Sequence, residues 1–377
     1  MNDTSGGMFI DKPRSLYVHI PFCRSICPYC DFPKVLLSTG FNKDYVSALL
    51  KEDERYRGYG FDTIFLGGGT PSALGGEQLK ELLGELTKRH GRPKEMTVEC
   101  NPEDVDLPFA KALREAGVNR VSLGVQTVDD GYLRKLGRNH TFAKALQAVG
   151  FLHEVGIDNL SADFIYALPG QTIADVKKDL DGVDQFRYLT HVSFYALQVE
   201  KHTMFYIQGV KTPDSDTLAD MYELINRELA RKGFLRYEVS NFAKPGYECQ
   251  HNLCYWHDDP YAAIGMGATS YENGVREVRN RDIVSYMKGA YVLRREAENA
   301  QTREFNFLML NLRLAKGFAL SEFTRRFHKD FLVSYAANIA KVSQSLIVDR
   351  QRVRVKPEYL YVLDEVLVDL LNFNGVK

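Results

Sequence analysis

The sequence predicts an α/β fold, a partial (β/α)6 barrel followed by a small helix-rich, winged-helix-like domain, and three observations lead there. Six short runs with strand composition recur between residues 15 and 199: SLYVHIP, TIFLGGG, EMTVECNP, RVSLGVQ, LSADFIYALP and HVSFYALQV. Amphipathic segments such as GEQLKELLGELTKRH and TFAKALQAVGFLHEVG separate them, the pattern of parallel strands joined by crossover helices. The chain's unusual residues gather where these runs end, and a parallel barrel keeps its chemistry at the C-terminal ends of its strands. Six units fall two short of the closed eight-unit form; a doubly wound open sheet shares the alternation.

After about residue 200 the alternation breaks. The reading divides the chain into an N-terminal segment (1–14), the barrel (15–235), a loop-rich segment of aromatics, glycine and polar turn formers (236–298), and a helix-rich C-terminal domain (299–377). Within 377 residues, 48 basic and 49 acidic side chains leave a net charge of -1, which argues against a general nucleic-acid or membrane surface. No apolar run approaches the ~18 residues needed to span a bilayer. The start, MNDTSGGMFIDKPRS, lacks the basic end and apolar core of a secretory signal, so a cytoplasmic location is expected.

In a reducing compartment six cysteines need not pair. Cys23, Cys27 and Cys30 fall within eight residues as C-x3-C-x2-C, while Cys100, Cys249 and Cys254 lie far away. A structural zinc site closes on four ligands, and Cys100 or a histidine could complete one from a distance. An iron-sulfur cluster held by three thiolates leaves one iron open to a substrate or cofactor. Spacing alone leaves both open.

The remaining motifs carry a resemblance. C-x3-C-x2-C with Tyr29 between the last two cysteines, followed by GGGTP, is similar to the radical S-adenosylmethionine superfamily. YVHIPFC, CPYCDF, GGGTPS, SLGVQT, DFIYALPGQT, EVSNFAKPG and HNLCYW, in this order, resemble the branch holding the oxygen-independent coproporphyrinogen III oxidases and the haem chaperones, and this likeness spans nearly the whole chain. The resemblance implies a [4Fe-4S] cluster on Cys23, Cys27 and Cys30, with S-adenosylmethionine on the open iron. It carries Tyr17, Gly68, Gly69, Thr70, Glu99, Gln126, Arg138 and Asp163 onto contacts with that molecule, some with a second one. The HNxxYW pattern implies haem on His251, with Cys249 and Cys254 as thiolate alternatives beside it. No residue is assigned a catalytic role.

The expected function is therefore a haem chaperone that passes haem, or a related tetrapyrrole, to an acceptor protein and takes electrons from a reductant. A homodimer and peripheral membrane contact stay open. The alternative is a radical enzyme, either an oxidase decarboxylating coproporphyrinogen or another tetrapyrrole-modifying enzyme. Two departures weigh against the oxidase: Phe32 stands where the oxidases resemble C-x3-C-x2-C-x-C, and only 22 residues precede Cys23.

Overall fold

The computed structural model describes residues 12–371. Its centre is a run of six parallel strands, β1 (Ser15–Ile20), β2 (Thr63–Gly68), β3 (Glu95–Cys100), β4 (Arg120–Gln126), β5 (Asn159–Tyr166) and β6 (His191–Ala196), paired in chain order. The crossovers carry α1 (Asn42–Asp53), α2 (Gly76–His90), α3 (Leu107–Glu115), α4 (Phe142–Glu154) and α5 (Ile173–Val183); α6 (Ser215–Arg231) follows β6. In α2, Leu79, Leu82, Leu83 and Leu86 repeat at helical spacing and are all buried, each contributing about 1.5–3 kcal/mol of apolar transfer. α5 starts on a capping box in which Thr172 and Asp175 satisfy each other's backbone N–H.

The sheet wraps around an interior. Tyr17 on β1 and Ser193 on β6 line the same small cavity of about 220 Å³. In a flat sheet, strands five places apart would stand about 24 Å from each other. The six strands therefore curve into an incomplete barrel, with helices outside, as the sequence predicts.

Residues 236–298 differ from the loop-rich expectation, because short strands there extend the sheet at both edges. β7 (Leu235–Arg236) and β8 (Asn241–Ala243) add antiparallel strands beyond β6; after α7 (Gln250–Trp256), β9 (Ala262–Ile264) pairs in parallel with β1 at the opposite edge. β10 (Thr269–Glu272), β11 (Val275–Arg279) and β12 (Val292–Ala297) form a separate antiparallel sheet. Glu52 on α1 fastens the β9 edge. It accepts from Tyr286 Oη at 2.6 Å and the Gly265 amide at 2.9 Å, and pairs with the fully buried Arg279.

Beyond residue 299, α8 (Ala300–Asn311), α9 (Leu320–Phe327) and α10 (Leu363–Leu371) enclose a second core around Phe307, Phe318 and Phe323. A small sheet of β13 (Phe318–Ala319), β14 (Leu346–Val348) and β15 (Arg352–Val355) lies against them, the helix-plus-wing arrangement expected. No helix among the described residues is long and apolar enough to cross a membrane.

Candidate functional site

β1 delivers the chain into the cysteine loop. Val35 closes that loop by donating its amide to Pro21 O at 2.7 Å, and Lys34 reaches back to Cys30 O at 2.6 Å. The amides of Gly69 and Thr70 at the end of β2 donate to Ile20 O and Phe22 O, each at 2.8 Å, stitching the two strand ends together. This close approach explains the glycines. A Cβ at Gly69 would sit 2.5 Å from Pro21 O, and one at Gly68, whose φ is +119°, would collide with the His19 ring. His19 is buried within β1. It donates from Nε2 to Pro33 O at 2.8 Å, leaving Nδ1 to accept from Tyr17 Oη at 3.1 Å.

A cavity of about 900 Å³ opens above the strand ends, and Cys23, Cys27 and Cys30 line one side of it. All three are free thiols. Burial pushes Cys23 and Cys30 up, while the Thr70 hydroxyl, 3.6 Å from Cys23 Sγ, and the Lys34 ammonium pull in the other direction. Arg138 donates to Cys27 Sγ at 3.6 Å, Asn101 Oδ1 at 2.7 Å and Gly124 O at 3.0 Å, leaving its Nε without a partner. Such a set suits a cluster on three thiolates. Thiolates spread along one wall beside fixed donors can share a large anionic group.

Seven of the eight residues expected at S-adenosylmethionine line this cavity: Gly68, Gly69, Thr70, Glu99, Gln126, Arg138 and Asp163. Glu99 accepts from the Gly68 amide at 3.1 Å, and burial, then the nearby Asp163, raise its pKa to about 7. Asp163 accepts from Ser122 at 2.8 Å, Ser161 at 3.1 Å and Ser193 at 2.7 Å. Gln126 takes a left-handed φ of 68° where the register of β4 against β5 shifts, a bulge that turns its side chain toward the cavity. Tyr17 is placed apart from these seven. It faces the smaller cavity beneath them, which meets the large one at Glu99, Ser122, Asp163 and Tyr195.

His251 lines the same smaller cavity as Tyr17, from its far end. The expected loop is helix α7, docked across the N-terminal ends of the strands: Glu95, the first residue of β3, accepts from the amides of Gln250 and His251 at 3.1 Å each. The imidazole is 1% exposed and stacks on Phe65, with Thr63 Oγ1 at 2.8 Å from Nδ1 and Tyr255 Oη at 2.8 Å from Nε2. Burial, then Arg120, lowers its pKa to about 3. Both ring nitrogens hold hydroxyl partners, so haem ligation by His251 would require the Thr63 or Tyr255 hydroxyl to turn away. The flanking thiols are no freer: burial pushes Cys249 and Cys254 to about 12. A β-strand rises about 3.3 Å per residue, which puts about 17 Å of β2 between this histidine and the cysteine end.

Sequence reasoning passed over Asn101, Tyr166, Tyr195, Tyr222 and Tyr361, all of which line the large cavity. The inward serines did leave a signal: Ser122, Ser161 and Ser193 are polar residues inside otherwise apolar strand runs, and all three face Asp163.

Residues 17–182 match the radical SAM superfamily. The heme chaperone HemW of Lactococcus lactis is 37% identical over 97% of this chain and 100% of its own length. The chain belongs to the HemW family. HemW of Escherichia coli is 36% identical over 82% of this chain and 85% of that protein. Among solved structures, the Escherichia coli coproporphyrinogen III oxidase HemN superposes with a TM-score of 0.82 over 96% of this chain and 90% of its own, at 19% identity, a likeness of fold. As members of the radical SAM superfamily, HemW proteins share its two cofactors, a [4Fe-4S] cluster and S-adenosylmethionine.

Proposed function

We propose that this protein is a haem chaperone, binding haem and handing it to an acceptor protein, with its cluster on Cys23, Cys27 and Cys30. S-adenosylmethionine lies over the ends of β2 to β5, against Gly68, Gly69, Thr70, Glu99, Gln126, Arg138 and Asp163. When bound, the cluster supplies an electron and an open iron. The protein's own groups position the ligand: Glu99 as a carboxylate for hydroxyl or ammonium donors, Arg138 as a cation with an uncommitted N–H. The working partners are a reductant for the cluster and a cytoplasmic haem acceptor.

The observation that carries the chaperone reading is the end-to-end match to heme chaperones, over 97% of this chain and the full length of the Lactococcus relative. Phe32 supports it. It occupies the oxidases' fourth cysteine position and is 62% exposed. The test uses anaerobically purified, cluster-loaded protein mixed with hemin and then with apomyoglobin. Haem transfer, together with intact coproporphyrinogen after incubation with S-adenosylmethionine and dithionite, is expected. Decarboxylation without hemin binding would assign the oxidase activity instead.

A further inference from the structure

Helix α7 is gripped at both ends, and the two grips come from different domains. At its start, Glu95 of the barrel accepts from the Gln250 and His251 amides. At its end, Arg326 on α9 of the C-terminal domain donates to Asp258 O at 2.9 Å and to Asp259 Oδ1 at 2.7 Å. The same guanidinium lies over the Phe307 ring, 5.1 Å from its centre. Asp258 takes a left-handed φ of 55°, uncommon for a residue other than glycine, at the point where Arg326 holds its carbonyl. A helix of seven residues is not stable by itself, so these contacts set where it lies.

What the helix covers is the His251 imidazole. Tyr255, one turn further along α7, places its hydroxyl 2.8 Å from Nε2, and Thr63 Oγ1 stands 2.8 Å from Nδ1. A phenol is a stronger proton donor than an aliphatic hydroxyl, so Tyr255 donates, Nε2 accepts, and Nδ1–H points to Thr63. Nε2 is then the nitrogen with a lone pair for a metal, its tautomer fixed by Thr63, and Tyr255 occupies that lone pair. The surrounding cavity, about 220 Å³, falls below the ~300 Å³ at which ligand pockets begin, and Asn252 and Tyr255 of α7 form part of its wall. A planar tetrapyrrole enters only when that wall moves.

We propose that α7 is a latched flap over the haem ligand and that Arg326 is its latch, a positioning residue acting through Asp258 and Asp259. When Arg326 lets go, the helix pivots on Glu95. His251, next to the pivot, stays with Thr63, while Tyr255 in the second half of the helix moves outward and uncovers Nε2. Residues 258–260, between α7 and β9, absorb the movement. The inference rests on the haem-chaperone reading above and on the HNxxYW pattern that implies His251 as ligand; it adds how that ligand is kept shut and which domain holds it.

The experiment uses cluster-loaded full-length protein under anaerobic conditions and reads two quantities, the hemin association rate by stopped flow and amide hydrogen exchange of residues 253–257 by mass spectrometry. Arg326→Ala, which removes two charge-assisted hydrogen bonds, should raise both about tenfold. Asp259→Ala, at a half-exposed side chain, should raise both by a smaller factor. Tyr255→Phe should speed hemin association alone, because it removes the cap and leaves the latch. Arg352→Ala, which loosens the same domain by releasing Lys316 O and Gly317 O, should move neither. Circular dichroism and the cluster's absorbance check folding. Unchanged rates in both Arg326→Ala and Asp259→Ala would overturn the latch, as would equal acceleration in Arg352→Ala or slower hemin association in folded Arg326→Ala protein. Hemin binding unaffected by His251→Gln would overturn it too, with the chaperone reading left standing, whereas failure of the unmodified protein to bind hemin would remove that reading as well.

Discussion

Arg138 donates a hydrogen bond to Cys27 Sγ at 3.6 Å from a guanidinium that is itself fixed by Asn101 and Gly124. A fixed cation beside one cluster thiolate favours the reduced state, which carries an additional negative charge. Arg138→Gln should therefore lower the cluster's reduction potential by roughly 60 mV, a tenfold change for one electron, as read by redox titration. An unmoved potential would mean that Arg138 only braces the loop.

Cys23→Ser, Cys27→Ser and Cys30→Ser should each lose iron and sulfide after anaerobic reconstitution. Cys100→Ala should keep both. Although Cys100 lines the same cavity, its thiol lies 3.9 Å from Val98 O, and burial holds it well above its ordinary range. Iron loss confined to the Cys100 variant would reverse the assignment.

S-adenosylmethionine affinity should rise with pH through about 7, where Glu99 ionises in the free protein. The carboxylate is the acceptor form, so binding favours deprotonation. In Glu99→Gln the pH dependence should flatten and the affinity at pH 8 should fall about tenfold. Isothermal titration at several pH values decides it.

Gly69→Ala should prevent folding or cost several kcal/mol, because the Cβ meets backbone that cannot move aside. Gly84, inside α2 with nothing within 4 Å of its Cβ position, is the counterpart: Gly84→Ala should stabilise by about 0.5–1 kcal/mol. Urea denaturation midpoints compare the two.

Acid should weaken the fold through its buried neutral imidazoles. The pKa is lowered to about 4 at His19 and about 3 at His251. As pH falls below the unfolded value of about 6.5, the unfolded chain takes protons that the native one refuses, and stability is lost down to the folded values. Each histidine should account for about 2 kcal/mol between pH 6.5 and 5. In His251→Gln the urea midpoint should fall less steeply over that window, whatever its value at pH 7.5.

The barrel and the cysteine loop were legible because their signals are local. Strand and helix periods, three crowded thiols and GGGTP are all written in short stretches, and seven of the eight expected S-adenosylmethionine residues share one cavity. The closing strands were not legible. β8 and β9 are three residues each, too short to show a period, and β9 finds β1 across more than 240 residues. Gly68 shows the limit in another way. The resemblance implies a ligand contact there, yet the structure gives a separate reason for glycine, the His19 ring against any Cβ. At His251 the HNxxYW pattern implied a haem ligand in a loop, whereas docking on Glu95, a long-range contact, encloses it in a helix.

The pairing of β9 with β1 also has a consequence for synthesis on the ribosome. One edge of the first strand must wait until Ile264 has been made. At 5–20 residues per second, that delay is about 12–50 s. The cysteine loop and Arg138, by contrast, have all been translated before half the chain exists. An assembly factor delivering iron and sulfide would thus meet a nascent chain whose cluster pocket is nearly complete while its β1 edge still offers unpaired backbone to any passing strand. The interval favours early metal loading and exposes the newborn protein to aggregation, and truncation before residue 262 should leave that exposure permanent.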